Sequence, residues 1–126
     1  RIFMVSDNLI ELACKEALLS LCQHRVGAII WDKKNIISIG HNYYLKSKRS
    51  YTKRFIKNTG IHAEVDAITN ARTELKGCSI LVVRVARNQD LVLAKPCNWC
   101  YNYIKHVGLH WLYYSNANNI VREKVL

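Results

Sequence analysis

Apolar positions recur with two different periods along the chain. In SDNLIELACKEALLSLC, residues 6–22, Ile10, Ala13, Ala17 and Leu21 fall on one side of a helix, and Ser6 or Asp7 can cap its start. The β-branched runs RVGAIIW and NIISIG, joined at DKKN, predict an antiparallel hairpin. HAEVDAITNAR has helical spacing, with Ala63, Ala67 and Ala71 four apart, and Gly77 ends that segment. SILVVRVA, residues 79–86, is apolar without alternation, the mark of a strand buried on both faces. RNQD is a turn, and LVLAKP leads into a third helix, CNWCYNYIKHV, that stops at Gly108. LHWLYY and NIVREKV are the last two strands.

Connection lengths then fix part of the topology. A strand at 79–86, a helix at 97–107 and a strand at 109–114 have the spacing of a parallel βαβ unit. Only SNAN separates the last two strands, and a parallel return needs about a dozen residues or more, so that pair is expected to be antiparallel. The expectation is an α/β fold in three layers, a mixed five-stranded sheet between helices, with residues 1–126 as one domain.

Composition narrows the class. Half of the 126 residues are hydrophobic and 22% are charged, as in ordinary globular chains. The longest apolar runs, VGAII and ILVV, are too short to span a bilayer, and RIFMVSDN lacks the apolar core of a secretion signal. Five scattered cysteines do not form a secreted disulfide framework, so an intracellular protein, cytoplasmic or nuclear, is expected. Cys14, Cys22 and Cys78 read as buried reduced thiols. The net charge of +10 points to a polyanionic partner, nucleic acid or nucleotide.

The chemistry concentrates in two short motifs. PCNWC puts Cys97 and Cys100 on one face of a helix's first turn, directly after the only proline, Pro96. Taken alone this pair could be a disulfide, a redox couple, a packing accident or half of a metal site. About thirty residues upstream, His62-Ala63-Glu64 opens the second helix. Alone, His62 is a cap histidine and Glu64 a first-turn carboxylate favoured by the helix dipole. Together, H-x-E and P-C-x-x-C form the signature of zinc nucleobase deaminases. Three ligands, His62, Cys97 and Cys100, hold Zn2+ and leave a fourth position for water. Glu64 is the general acid–base. His24, His41, His106 and His110 are expected to stand apart from the motifs, separated by local structure.

At these residues the chain resembles the cytidine/deoxycytidylate deaminase superfamily, from RVGAII through GHN, HAEVDAI and KPCNWC to WLYYS. The resemblance implies a cytidine-deaminase-like fold, zinc at His62, Cys97 and Cys100, and a proton shuttle at Glu64. It implies that Asn42 of GHN hydrogen-bonds the sugar of the target nucleotide and that the Ala63 backbone meets the base edge. A plainer role for Asn42 is to end the strand through an Asx-turn. The short final hairpin resembles the branch of the family whose last two strands are antiparallel.

Substrate class turns on YYLKSKRSYTKRFIKN, residues 43–58. Lys48, Arg49, Lys53 and Arg54 alternate there with aromatics, as suits a single strand whose phosphates pair with cations and whose bases stack on rings. A solvated loop, or a phosphate site for one nucleotide, are the competing readings. Trp99, between the cysteines, is expected in the core or in a pocket wall. The sequence is therefore read as a zinc-dependent deaminase converting cytosine to uracil in single-stranded nucleic acid, DNA or RNA. A free deoxycytidylate or cytidylate deaminase, or an idle zinc-stabilised nucleic-acid-binding module, are the alternatives.

Overall fold

In a computed structural model of the chain, the described residues are 5–33, 35–44 and 60–126. The basic segment with Lys48, Arg49, Lys53 and Arg54 lies outside them. The elements are α1 (Asp7–Ala17), β1 (Arg25–Asp32), β2 (Asn35–His41), β3 (Tyr43–Tyr44), β4 (Gly60–Ile61), α2 (Ala63–Asn70), β5 (Ser79–Val85), β6 (Leu91–Val92), α3 (Asn98–His106), β7 (Trp111–Asn116) and β8 (Asn119–Lys124).

Side-chain alternation in the strands sorts the layers. Ala28, Ile30, Ile80, Val82 and Leu112 turn to one face and pack on Ala63 and Ala67 of α2 and Ile104 of α3. Ile29, Leu81, Val83 and Tyr113 turn to the other and meet Ala13 and Ala17 of α1. The run ILVV is thus apolar because both of its faces are covered. The main sheet runs β2-β1-β5-β7-β8, with the two-residue β6 on the end of β5. β5 and β7 are parallel across α3, and β7 and β8 are antiparallel. The turn between them is Ala117–Asn118, with φ of 51° and 68°, the left-handed pair of a two-residue hairpin loop. Strand β6, in the segment expected only to lead to the third helix, adds an edge to the five expected strands. Among the described residues no helix is long and apolar enough to cross a membrane.

Two expectations at the N-terminal end need correction. Helix α1, capped by Ser6, ends at Ala17, and Leu21 is 98% exposed rather than on the buried stripe. The chain must reverse to enter β1 at Arg25, so the apolar spacing outlasts the helix. Of the three thiols expected to be buried, Cys78 is, whereas Cys14 and Cys22 are only partly so. All five cysteines are free.

Two glycines let helices lie directly on strands. A Cβ on Gly27 would collide with the Ala13 carbonyl and sit 2.7 Å from the Ala17 nitrogen of α1. A Cβ on Gly40 would collide with the Ala67 nitrogen and sit 2.9 Å from its Cα, on α2. The obstacles are backbone atoms, which cannot swing aside. Gly27→Ala and Gly40→Ala should therefore each lower unfolding stability by about 1–3 kcal/mol, the usual range for overpacking, read from urea denaturation midpoints.

Candidate active site

Helix α2 is fixed against β2 by polar bonds as well as by Gly40. Ser38 Oγ donates to the Ala67 carbonyl, the His41 backbone N–H donates to Asp66 Oδ2 at 3.0 Å, and Asn70 Nδ2 donates to the Ile39 carbonyl at 3.0 Å. These bonds set where the helix begins, and hence where His62 and Glu64 stand. The start of α3 is held from the other side. Fully buried Ser115 donates its hydroxyl to the Val92 carbonyl at 2.7 Å, and its own carbonyl accepts from the Ala94 N–H at 3.0 Å. Tyr114 donates to Glu123 Oε2 at 2.7 Å, and Lys95 lies 3.4 Å from the same oxygen. Segment 92–95 is thereby tied to β7 and β8 just before Pro96 and Cys97.

His62 and Cys97 occupy the N-cap positions of α2 and α3, and neither side chain bonds its own helix start. A capping side chain normally accepts from the first turn. Here both point at each other instead. His62 Nδ1 is 3.1 Å from Cys100 Sγ and 3.8 Å from Cys97 Sγ, and the three donor atoms all lie within 4.8 Å of one another. Tetrahedral zinc with bonds of about 2.3 Å to sulfur and 2.0 Å to nitrogen separates N from S by about 3.5 Å, which the two distances bracket. Burial pushes the Cys100 thiol well above its ordinary value, and the charges of Glu64 and Cys97 push it further. A cation among the three donors reverses that penalty, since thiolate is the form zinc binds. The donor set and its spacing fit Zn2+.

Above the cluster lies a cavity of about 300 Å³ lined by His62, Ala63, Glu64, Cys97, Asn42 and Lys95, among others. Glu64 is 5% exposed. Burial pushes its carboxyl up, against the lowering effects of its own backbone N–H and of His62. A buried carboxyl whose proton is held more tightly than usual has the chemistry of a proton carrier. Ala63 is buried in the same wall. Asn42 lines the cavity too, but its amide is engaged: Nδ2 donates to the His24 carbonyl at 2.6 Å and Oδ1 accepts from the Val26 N–H at 2.9 Å. One N–H and one lone pair are left for a ligand.

His24, expected to stand apart from the motifs, shares this cavity with His62 and Glu64 because the Asn42 amide pulls its backbone in. Arg84 shares it as well, and sequence reasoning passed over it. Its signal was visible, as the one charge inside SILVVRVA. Trp99 is 64% exposed, so it is not core. It walls a neighbouring cavity with Gly60, Ile61, His62 and Val65. Strands β3 and β4 pair across the ends of segment 45–59 and, with His24 and Asn42, line a groove of about 430 Å³.

The family profile described as the cytidine and deoxycytidylate deaminase zinc-binding region matches residues 5–116. The chain belongs to that family. Two solved deaminases share its fold. Cytidine deaminase from Burkholderia pseudomallei superposes with a TM-score of 0.67 at 18% identity, covering 97% of this chain and 94% of its own. The dCMP deaminase from cyanophage S-TIM5, in complex with dCMP and dUMP, gives 0.61 at 20% identity, covering 90% and 85%. Among curated proteins none matches the sequence significantly.

This family member should bind one zinc per chain by elemental analysis. Cys97→Ala or Cys100→Ala should lose it and lower Tm, because binding energy at such sites is folding energy, whereas Glu64→Ala should keep it. A second outcome concerns the brace behind Cys97. Burial, then the Glu123 hydrogen bond and charge, push the Tyr114 phenol up to about 12. The folded state keeps a proton that an unfolded tyrosine loses near pH 10, so stability falls as pH rises from about 10 to about 12. Tyr114→Phe should remove that part of the alkaline loss, measured by denaturation at a series of pH values.

Proposed function

We propose that this family member hydrolyses the amino group of cytosine to give uracil and ammonia, and that its substrate is cytosine in single-stranded nucleic acid. The observation that carries the chemistry is the burial of Glu64 at the floor of a cavity beside the His62, Cys97 and Cys100 donors. Zinc held by those three residues would supply a water acidic enough to ionise near neutral pH. Glu64 carries the protons: it takes one from that water and delivers it to the ring nitrogen as the water's oxygen bonds to the amine-bearing carbon, then passes the second to the amine, whose bond to that carbon breaks to release ammonia. The half-free Asn42 amide and the Ala63 backbone orient sugar and base from the cavity wall. The burial of Glu64 serves this cycle, because a fully ionised surface carboxylate would be a poor donor to the ring.

The polymer substrate is supported by the run of cations and rings between residues 43 and 58. A second reading, a free deoxycytidylate deaminase, is favoured by the likeness to a phage enzyme crystallised with dCMP and dUMP.

A panel of dCMP, CMP, nucleosides, single-stranded DNA and RNA, scored by ammonia release and sequencing, separates these readings. Glu64→Ala should lower turnover of the true substrate by about 100-fold or more. Zinc-loaded protein inert on every cytosine substrate would support an idle binding module instead. If Lys48, Arg49, Lys53 and Arg54 pair with about four phosphates, log affinity for a single strand should fall with log salt at a slope of roughly −3. Changing all four to Gln should flatten that slope and weaken oligonucleotide deamination more than dCMP deamination. Equal loss on both substrates, or on neither, removes the polymer reading.

A further inference from the structure

Strand β5 carries one charge in its apolar run. Ile80 and Val82 are fully buried on the face toward α2 and α3, and Arg84 follows them on that face at the strand's C-terminal end, half-buried. Its guanidinium lies 2.8 Å from His24 Nδ1. A guanidinium only donates, so Nδ1 accepts and the ring proton sits on Nε2. His24 is held in turn, because Asn42 bonds its carbonyl and the neighbouring Val26 N–H. Arg84 is therefore oriented through a chain of contacts that starts at the end of β2.

That orientation uses one of its five N–H groups. Among the described residues no carboxylate lies within ion-pair distance of Arg84, Arg25 or Arg87. Arg25 satisfies itself partly on the Ala86 carbonyl at 2.8 Å. Arg84 and His24 form a wall common to the catalytic cavity and a second cavity of about 260 Å³, which Arg25 and Arg87 also line. A fixed, half-buried, uncompensated guanidinium fork is built for a planar or tetrahedral oxyanion. On the deamination reading, the end of the cavity at His62 and Cys97 would take the amine-bearing edge of the base, and beyond the sugar the next group of a nucleotide is its phosphate.

Resting on the deamination reading, we propose that Arg84, oriented by His24, binds the phosphate attached to the sugar of the target cytosine, so that the site selects a nucleotide over a nucleoside. The phosphate is a free monophosphate or a diester of a strand; the recognised chemistry is the same.

The test compares wild type with Arg84→Gln and Arg84→Lys on dCMP, deoxycytidine and an oligodeoxynucleotide with a single cytosine. Calorimetric binding of dUMP and deoxyuridine is measured alongside, since it needs no turnover. For Arg84→Gln, the ratio of kcat/KM on dCMP to that on deoxycytidine should fall roughly 10- to 100-fold, as for loss of a charge-assisted hydrogen-bond pair. The preference for dUMP over deoxyuridine should fall alike. Arg84→Lys, which keeps the charge and loses the fork, should fall between and stands in if the Gln variant does not fold. A parallel fall on the oligonucleotide supports the diester as the source, and a fall on dCMP alone supports the monophosphate. Unchanged ratios, or equal losses on nucleotide and nucleoside, overturn the proposal, because Arg84 would then serve only the fold. Wild type that deaminates none of the three yet binds dUMP over deoxyuridine through Arg84 keeps the phosphate site and loses the deamination reading.

Discussion

Helix α2 lies on strand β2 at a separation that leaves no room for a side chain at Gly40, where a Cβ would run into the Ala67 backbone. The site follows from that contact. The same surface carries the Ser38, Asp66 and Asn70 bonds, so both the depth and the register of the helix are set there. His62 and Glu64 sit at its first turn, with little freedom left to them. A shift of one residue in the register of α2 would rotate His62 and Glu64 by about 100° around the helix axis, away from the thiols.

The opposing half is fixed by unrelated means. Ser115 and the Tyr114–Glu123–Lys95 group pin the segment before α3 to the strands β7 and β8. The last hairpin, far from the motifs in sequence, thus bears on where Cys97 stands. Two helix starts with separate anchors bring the three donor atoms within 4.8 Å of one another only when the sheet that carries both is assembled. Metal affinity and folding are coupled for this reason. The coupling is sharpened by Cys100, whose buried thiol resists ionisation until a cation faces it.

Much of this was legible in the chain because its signals are local. The parallel β5–α3–β7 unit and the antiparallel final hairpin follow from connection lengths, and the His62, Glu64, Cys97 and Cys100 grouping follows from motif spacing. What was not legible is what tertiary structure alone decides. The stripe through Leu21 continued the helical period past the point where the chain had to turn back, and only the packing of Ala17 on Gly27 reveals the stop. His24 reads as a remote histidine until the Asn42 amide brings it into the cavity. Arg84 reads as a single flaw in an apolar strand until its face and its end of the sheet are known. Asn42 itself was expected at the sugar, and its two backbone bonds give it a structural task as well.

The charges along the cavity give it a direction. With Zn2+ among them, two thiolates balance the metal, so the deep end is neutral when Glu64 holds its proton and carries −1 when it does not. The outer wall is cationic: among the described residues no carboxylate lies within ion-pair distance of Arg84, and Arg25 and Arg87 stand beside it. At an effective dielectric of about 20, two unit charges 4 Å apart interact by about 4 kcal/mol, enough to order a ligand end for end. On the proposed reading, a neutral cytosine ring would enter the deep end at little electrostatic cost, while its phosphate would be held at the arginine wall and repelled from the carboxylate. A nucleotide in the reverse orientation would set phosphate against Glu64 and leave the guanidinium unmatched. On that reading the same asymmetry would let the products part, since ammonia would form at the deep end while the phosphate stayed tethered outside it. The proposed selection of a nucleotide over a nucleoside thus rests on one arginine in β5, held by a histidine that an asparagine holds in place.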